Sequence, residues 1–261
     1  MSFGGPPALP GTVHLVGAGP GDPGLLTLRG ARLLQTCTLV AWDRLVASEL
    51  LDLVPPRALR FEVGKRCGNE TWSQEEINRL LVDAARSGHA VVRLKGGDPF
   101  VLGRGGEEAA ACVAAGLPFE VVPGVTSAVA APAAADIPVT HRGLAAGFAV
   151  ITGHEDPSKR HSQVDWGAVA AFPGTLVVLM GLGRLSRIAD LLIAHGRDSN
   201  TPAAAVRWGT TKQQEVVEAS LGELAEAVAN HGLQPPVTIV VGEVVAMRAV
   251  LAATPALVGA A

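Results

Sequence analysis

The residues able to do chemistry in this chain stand where apolar runs end. Asp43 closes one such run in Ala41-Trp42-Asp43-Arg44, and Lys65-Arg66 close another in Val63-Gly64-Lys65-Arg66. Each has a plain alternative: an Asp that caps a turn, and a basic pair that is simply solvated. His141-Arg142 is equally compatible with linker surface. Glycine loops are more informative. Gly17-Ala18-Gly19-Pro20-Gly21-Asp22-Pro23-Gly24 follows the first run and invites a dinucleotide reading, because glycine lets backbone approach a pyrophosphate. The spacing fails, since the third glycine of G-x-G-x-x-G would fall on Asp22, a carboxylate that repels phosphate.

A second loop, Lys95-Gly96-Gly97-Asp98-Pro99-Phe100, precedes Gly103-Arg104-Gly105-Gly106-Glu107-Glu108. Paired glycines expose backbone donors and acceptors, and Asp98 offers a carboxylate to ribose hydroxyls or to a cation. A glycine-rich turn capped by Asp explains it as well. No Lys-Ser/Thr pair follows, so it is not a phosphate loop of the Walker type. Further loops are Pro123-Gly124-Val125-Thr126-Ser127, Met180-Gly181-Leu182-Gly183 and Trp208-Gly209-Thr210.

The elements that must carry these loops are legible from periodicity. Strands are expected at Thr12–Gly17, Thr38–Trp42, Arg60–Val63, Ala90–Leu94 and Phe119–Val122, with helices at Leu25–Thr36, Gln74–Ser87 and Gly106–Ala115. Ser73 with Glu76 reads as a capping box, and Gly88 and Gly116 as helix stops. Continuous apolar strands alternating with helices predict a parallel sheet with crossover helices. A second strand set is expected at Phe148–Thr152, Thr175–Met180, Ala203–Arg207, Glu215–Ala219 and Val237–Val241, with helices at Arg184–His195 and Leu221–Asn230. The expected organisation is a flexible arm over 1–11, α/β domains over 12–140 and 141–250, and a tail over 251–261. Ligand is expected in one cleft between the two domains.

Composition removes other classes. The 261 residues are 48% apolar and 17% charged, too apolar for a disordered chain. A net charge of −3 gives no global attraction to nucleic acid or anionic membrane. Cys37, Cys67 and Cys112 form no CxxC and the histidines no HxxxH, so no metal is expected. The uncharged run Val121–Ala135 is too short to span a bilayer and is broken by Pro123, Gly124 and Pro132. With no charged n-region at the front, a cytoplasmic protein is expected.

Taken in order, VGAGPGDPGLLT (Val16–Thr27), DRLV (Asp43–Val46), VGKR (Val63–Arg66), VVRLKGGDPF (Val91–Phe100), GRGGEE (Gly103–Glu108), VPGVT (Val122–Thr126), IPVTHR (Ile137–Arg142) and Met180–Leu182 closely resemble the uroporphyrinogen-III C-methyltransferases, within the tetrapyrrole methylases. The resemblance runs from about Thr12 to Arg248. It implies S-adenosyl-L-methionine as methyl donor, S-adenosyl-L-homocysteine as product, and a homodimer. It implies two methylations of uroporphyrinogen III to precorrin-2, feeding sirohaem or cobalamin synthesis. Residue by residue, the donor contacts fall on Pro20, Gly96, Gly97, Asp98, Val101, Thr126, Ser127, Met180 and Gly209. The family's proposed proton acceptor falls on Asp43 and its proton donor on Lys65. Arg66, Arg104, His141 and Arg142 become partners for a substrate ringed by carboxylates. The chain departs from the family pattern at Trp42, Leu102, Ser127 and the stretch Gly68–Trp72, and has no Tyr. A methylase acting on a later corrin ring, one acting on RNA, and a non-catalytic donor-binding module are the alternatives.

Overall fold

A computed structural model describes residues 4–64, 72–154 and 162–252. The chain divides into two compact units, Met1–Thr126 and Ser127–Ala261. In the first, strands β1 (Val13–Gly17), β2 (Leu39–Trp42), β3 (Leu59–Glu62), β4 (Val91–Lys95) and β5 (Phe119–Val122) form one sheet in the order β3-β2-β4-β1-β5. Every pairing is parallel, as the unbroken apolar runs predicted. The strands therefore all end at one edge, carrying Gly17, Asp43, Gly64, Gly96 and Pro123 just beyond it.

Successive residues of a strand face opposite sides, and β4 shows the consequence. Val92 and Leu94 join Val16, Val40 and Val122 in a core beneath Leu33 and Leu34 of α1 (Leu28–Leu34). Val91 faces the other way, with Leu15 and Leu39, against Ile77, Leu81 and Ala84 of α2 (Gln74–Arg86) and Ala109 and Cys112 of α3 (Gly105–Ala114). Arg93 and Lys95 share that second face and are as buried as their apolar neighbours. The Ser73–Glu76 capping box is present at the start of α2.

The helix expected over Leu25–Thr36 is shorter. A 3₁₀ turn, Pro23–Leu25, capped by Asp22 Oδ1 on Gly24 N at 2.7 Å, precedes α1, whose N-cap is Thr27. The N-terminal arm, expected to be flexible, is tied to the unit over Gly4–Leu9. Arg29 Nη1 donates to the carbonyls of Gly4 and Pro6, and Leu9 N donates to His14 Nε2 at 3.2 Å.

The second unit holds β6 (Phe148–Thr152), β7 (Thr175–Leu179), β8 (Pro202–Arg207), β9 (Glu215–Ser220) and β10 (Val237–Val241) in the order β6-β7-β10-β8-β9. Only β6 and β7 pair in parallel; the other pairings are antiparallel. One face is covered by α5 (Trp166–Ala171), α6 (Leu185–Ala194) and α7 (Leu224–Asn230). The other carries α4 (Ser127–Ala134), whose Ala128 packs on Val177 and Leu179 and whose Ala131 packs on Ala204 and Val206. That packing assigns α4 to the second unit and moves the boundary from the expected position near residue 140 to Thr126/Ser127. A last helix, α8, covers Met247–Ala252.

Candidate active site

The loops at the sheet edge of the first unit are packed backbone against backbone. A Cβ on Gly17 would lie 2.5 Å from Gly124 Cα and 2.7 Å from Gly97 O, and one on Gly124 would lie 2.3 Å from Gly97 O. Glycine is required where three chains meet this closely. Gly19 and Gly97 also exchange backbone hydrogen bonds, at 3.2 and 2.7 Å, so the loops after β1 and β4 form one rigid piece. Pro20, Gly96, Gly97, Asp98 and Val101 of the expected donor set all belong to it, partly buried.

Asp98 holds three backbone amides. Oδ1 accepts from Phe100 N at 2.8 Å and Val101 N at 3.1 Å, and Oδ2 accepts from Gly124 N at 3.0 Å. The carboxylate thus bends its own loop and ties it to the loop after β5. Gly103 and Gly105 continue this packing, with Cβ positions 3.0 and 2.3 Å from Pro99 O, which seats the start of α3 on the same loop.

Asp43 follows β2, half-exposed, and Oδ1 receives Arg93 Nη2 at 2.5 Å. Oδ2 has no hydrogen-bond partner among the described residues. Arg93 in turn donates from Nε to Glu108 Oε1 at 2.9 Å and from Nη1 to Leu94 O at 3.2 Å. Lys95 Nζ lies 3.0 Å from both oxygens of Glu108, in hydrogen-bond geometry only with Oε1, which Gln74 Nε2 also approaches at 3.4 Å. Burial works against the Arg93 charge, yet Asp43 and Glu108 hold its pKa above the ordinary value. Burial, then neighbouring Arg93, push Lys95 below its ordinary value against the pull of Glu108.

Arg93, Lys95 and Glu108 stand inside the motifs VVRLKGGDPF and GRGGEE but carry no role expected from them. The available signal was a period-2 pair of cations in an otherwise apolar strand, which a buried strand holds only against a buried anion.

The other expected residues divide between the two units. Lys65 and Arg66 lie outside the described residues. Arg104, with a left-handed backbone (φ 59°), forms a bidentate pair with Glu107 at 2.7 Å, on the surface. In the second unit, His141 and Arg142 stand exposed on a tight turn closed by reciprocal His141–Ala145 backbone bonds at 3.0 and 2.9 Å. Ser127 begins α4. Met180 follows β7 directly, exposed, with φ 57°. Gly209 follows β8 with no room for a side chain: its Cβ would meet Ala131 Cβ at 2.5 Å. Among described non-glycine residues positive φ occurs at Leu102, Arg104, Asp136, Met180, Trp208 and Thr210. All but Asp136 lie in loops leaving strands, and strain of this kind collects at functional loops. No group of His, Cys, Asp and Glu among the described residues is disposed to hold a metal.

The model of the tetrapyrrole (corrin/porphyrin) methylases matches residues 12–225. The chain is 47% identical over 241 residues to the S-adenosyl-L-methionine-dependent uroporphyrinogen III methyltransferase of Methanosarcina barkeri, covering 92% of this chain and 94% of that one. It is 50% identical over 242 residues to siroheme synthase 2 of Aeromonas salmonicida, and spans 50% of that longer protein. Among solved structures, uroporphyrin-III C-methyltransferase from Thermus thermophilus complexed with S-adenyl homocysteine is 46% identical, with a TM-score of 0.77 over 90% of this chain and 99% of that one. Parallel loops built on glycine, a half-exposed carboxylate at their edge and likeness over almost the full length converge on one assignment. The chain belongs to the tetrapyrrole (corrin/porphyrin) methylases.

Proposed function

We propose that the chain methylates uroporphyrinogen III at two ring carbons, giving precorrin-2 for sirohaem or cobalamin synthesis. S-adenosyl-L-methionine is the donor and S-adenosyl-L-homocysteine the product. The observation that carries this reading is the 47% identity with a uroporphyrinogen III methyltransferase across nearly all of both chains. A corrin-ring methylase of this fold, the cobalt precorrin-4 methyltransferase, is only 28% identical. The glycine loops suit a donor that lies close to backbone, since a Cβ on Gly96 would meet only Leu45 Cβ, at 3.7 Å, which leaves that face of the loop uncrowded.

The proposed donor contacts are Pro20, Gly96, Gly97, Asp98, Val101, Thr126, Ser127, Met180 and Gly209, with Asp98 acting by holding its loop in shape. When bound, the donor supplies a methyl group already activated as a sulfonium. The protein's work is then orientation and proton handling. Asp43 takes up, at Oδ2, the proton that the macrocycle loses from a neighbouring position once a ring carbon has gained the methyl group, while Arg93 holds the other oxygen still. Lys65 acts as proton donor. Arg66, Arg104, His141 and Arg142 meet the substrate's carboxylates. Exposed pairs such as Arg104–Glu107 contribute about 0–1 kcal/mol, so Arg104 exchanges its partner readily. The enzyme works in the cytoplasm as a homodimer, which sedimentation would check.

Mass spectrometry of the tetrapyrrole after incubation with isotopically labelled donor tests the reaction. Two labels per ring, with a one-label species rising and falling first, are expected. Label in RNA with an unlabelled tetrapyrrole would overturn it.

A further inference from the structure

Three charged side chains are buried between the first sheet and its helices: Arg93 and Lys95 at 2% exposure and Glu108 at 0%. Around them β4 is apolar, with Val91, Val92 and Leu94 at 0%. Buried ion pairs of this kind seldom add net stability over apolar residues of the same volume, because desolvation cancels the Coulomb gain. Arg93 reaches from Glu108 to Asp43, whose side chain is 32% exposed.

From this arrangement we propose that Glu108 is a positioning residue for Asp43, acting through Arg93. The proposal rests on the reading of Asp43 as proton acceptor. A guanidinium held by a single partner can pivot about it. Here Nε is fixed by Glu108, Nη1 by the Leu94 carbonyl, and only Nη2 remains for Asp43 Oδ1. The planar fork of Arg transmits the placement of Glu108 to the carboxylate. Glu108 itself is placed by the first turn of α3, where the helix dipole favours a carboxylate. Gly103 and Gly105 seat that turn on the loop after β4. Lys95 supplies the second cation for the two carboxylates, so that Glu108 orients Arg93 without an excess negative charge in the group.

Removing Glu108 alone would strand two buried cations and risk unfolding, so the test uses charge-balanced pairs. Lys95→Met with Glu108→Gln keeps an acceptor for Arg93 Nε. Lys95→Met with Glu108→Leu removes it at similar volume and equal charge. The Gln pair is expected to hold kcat within about threefold of wild type, and the Leu pair to lose up to about 10²-fold, the scale of a misplaced catalytic group. Donor KM and thermal midpoint should agree between the pairs. The Arg93 Nε–H resonance in NMR, slow to exchange in wild type and the Gln pair, should be lost in the Leu pair. Equal kcat in the two pairs would overturn the proposal. Asp43→Asn is measured alongside: full turnover in that variant would overturn the proton-acceptor reading itself, whereas a crippled Asp43→Asn with equal pairs would overturn only the role of Glu108.

Discussion

Three backbone amides converge on the Asp98 carboxylate, and their fate decides what that residue is worth. Asp98→Ala leaves the Phe100, Val101 and Gly124 amides without their acceptor and loosens the loop. Donor affinity should fall by about 1–3 kcal/mol; calorimetry showing unchanged affinity would remove Asp98 from the site. Asp43→Asn should lower turnover by about 10²–10⁴-fold, the usual loss for a general base, with little effect on donor binding. Turnover close to wild type in a stopped assay would leave Asp43 structural. His14 offers a prediction about stability. Its Nε2 accepts from Leu9 N, so the neutral ring carries its proton on Nδ1, 2.8 Å from Glu120 Oε2. Burial lowers the His14 pKa from its ordinary 6.5, outweighing the opposing pull of Glu120. The folded state then binds fewer protons than the unfolded one, and stability present above pH 6.5 is lost as pH falls through the lowered value. The hydrogen bonds from Arg29, then from His14, lower Glu120, which adds a loss of the same sign below its ordinary 4.5. Thermal midpoints measured from pH 7.5 down to pH 5 should fall, and His14→Gln should flatten that part of the profile.

Single elements depend on how closely loops approach each other. The Cβ that Gly124→Ala would add lies 2.3 Å from the Gly97 carbonyl, which belongs to the rigid two-loop piece and cannot swing away. Overpacking of this kind costs about 1–3 kcal/mol. Urea denaturation should register that loss, and donor binding should weaken with it because the loop after β4 must shift. Gly88→Ala makes a useful contrast, since nothing lies within 4 Å of its Cβ, although its φ of +85° still adds strain. Only the first variant should alter donor affinity. The capping box at Ser73 and Glu76 was readable from sequence because it depends on residues three apart. The short helices α4 and α5 were not. Ser127–Ala134 is nearly all alanine and carries Pro132, so it shows no amphipathic period, and it becomes a helix through packing on β7 and β8.

For the whole molecule, the net charge of −3 means that attraction for an anionic macrocycle has to be local. The basic residues assigned to it, Arg104, His141 and Arg142 among the described ones, are exposed. Exposed charges are screened beyond a Debye length of about 8 Å at physiological ionic strength. Raising salt should therefore raise the acceptor KM in steady-state assays, while donor affinity, resting on glycine backbone, changes little. A donor affinity that falls as steeply as the acceptor's would contradict this division of labour. Among the described residues no helix is long and apolar enough to cross a membrane, in keeping with the broken apolar runs.

Local chemistry let the sequence alone determine a good deal. Unbroken valine and leucine runs required strands buried on both faces, so the parallel order of the first sheet followed. Glycine and Asp at the ends of those runs marked the loops, because a missing side chain is informative wherever backbones must touch. The motif order pointed to the family. Tertiary structure decided what these residues do to one another. The second sheet's antiparallel pairings, the placement of α4, and the tie from Asp98 to the Gly124 amide depend on partners distant in sequence. The link from Glu108 through Arg93 to Asp43 spans three elements, β2, β4 and α3. A string of residues shows that charges sit in an apolar strand. Only the folded chain shows which buried anion compensates them, because desolvation makes that choice in three dimensions.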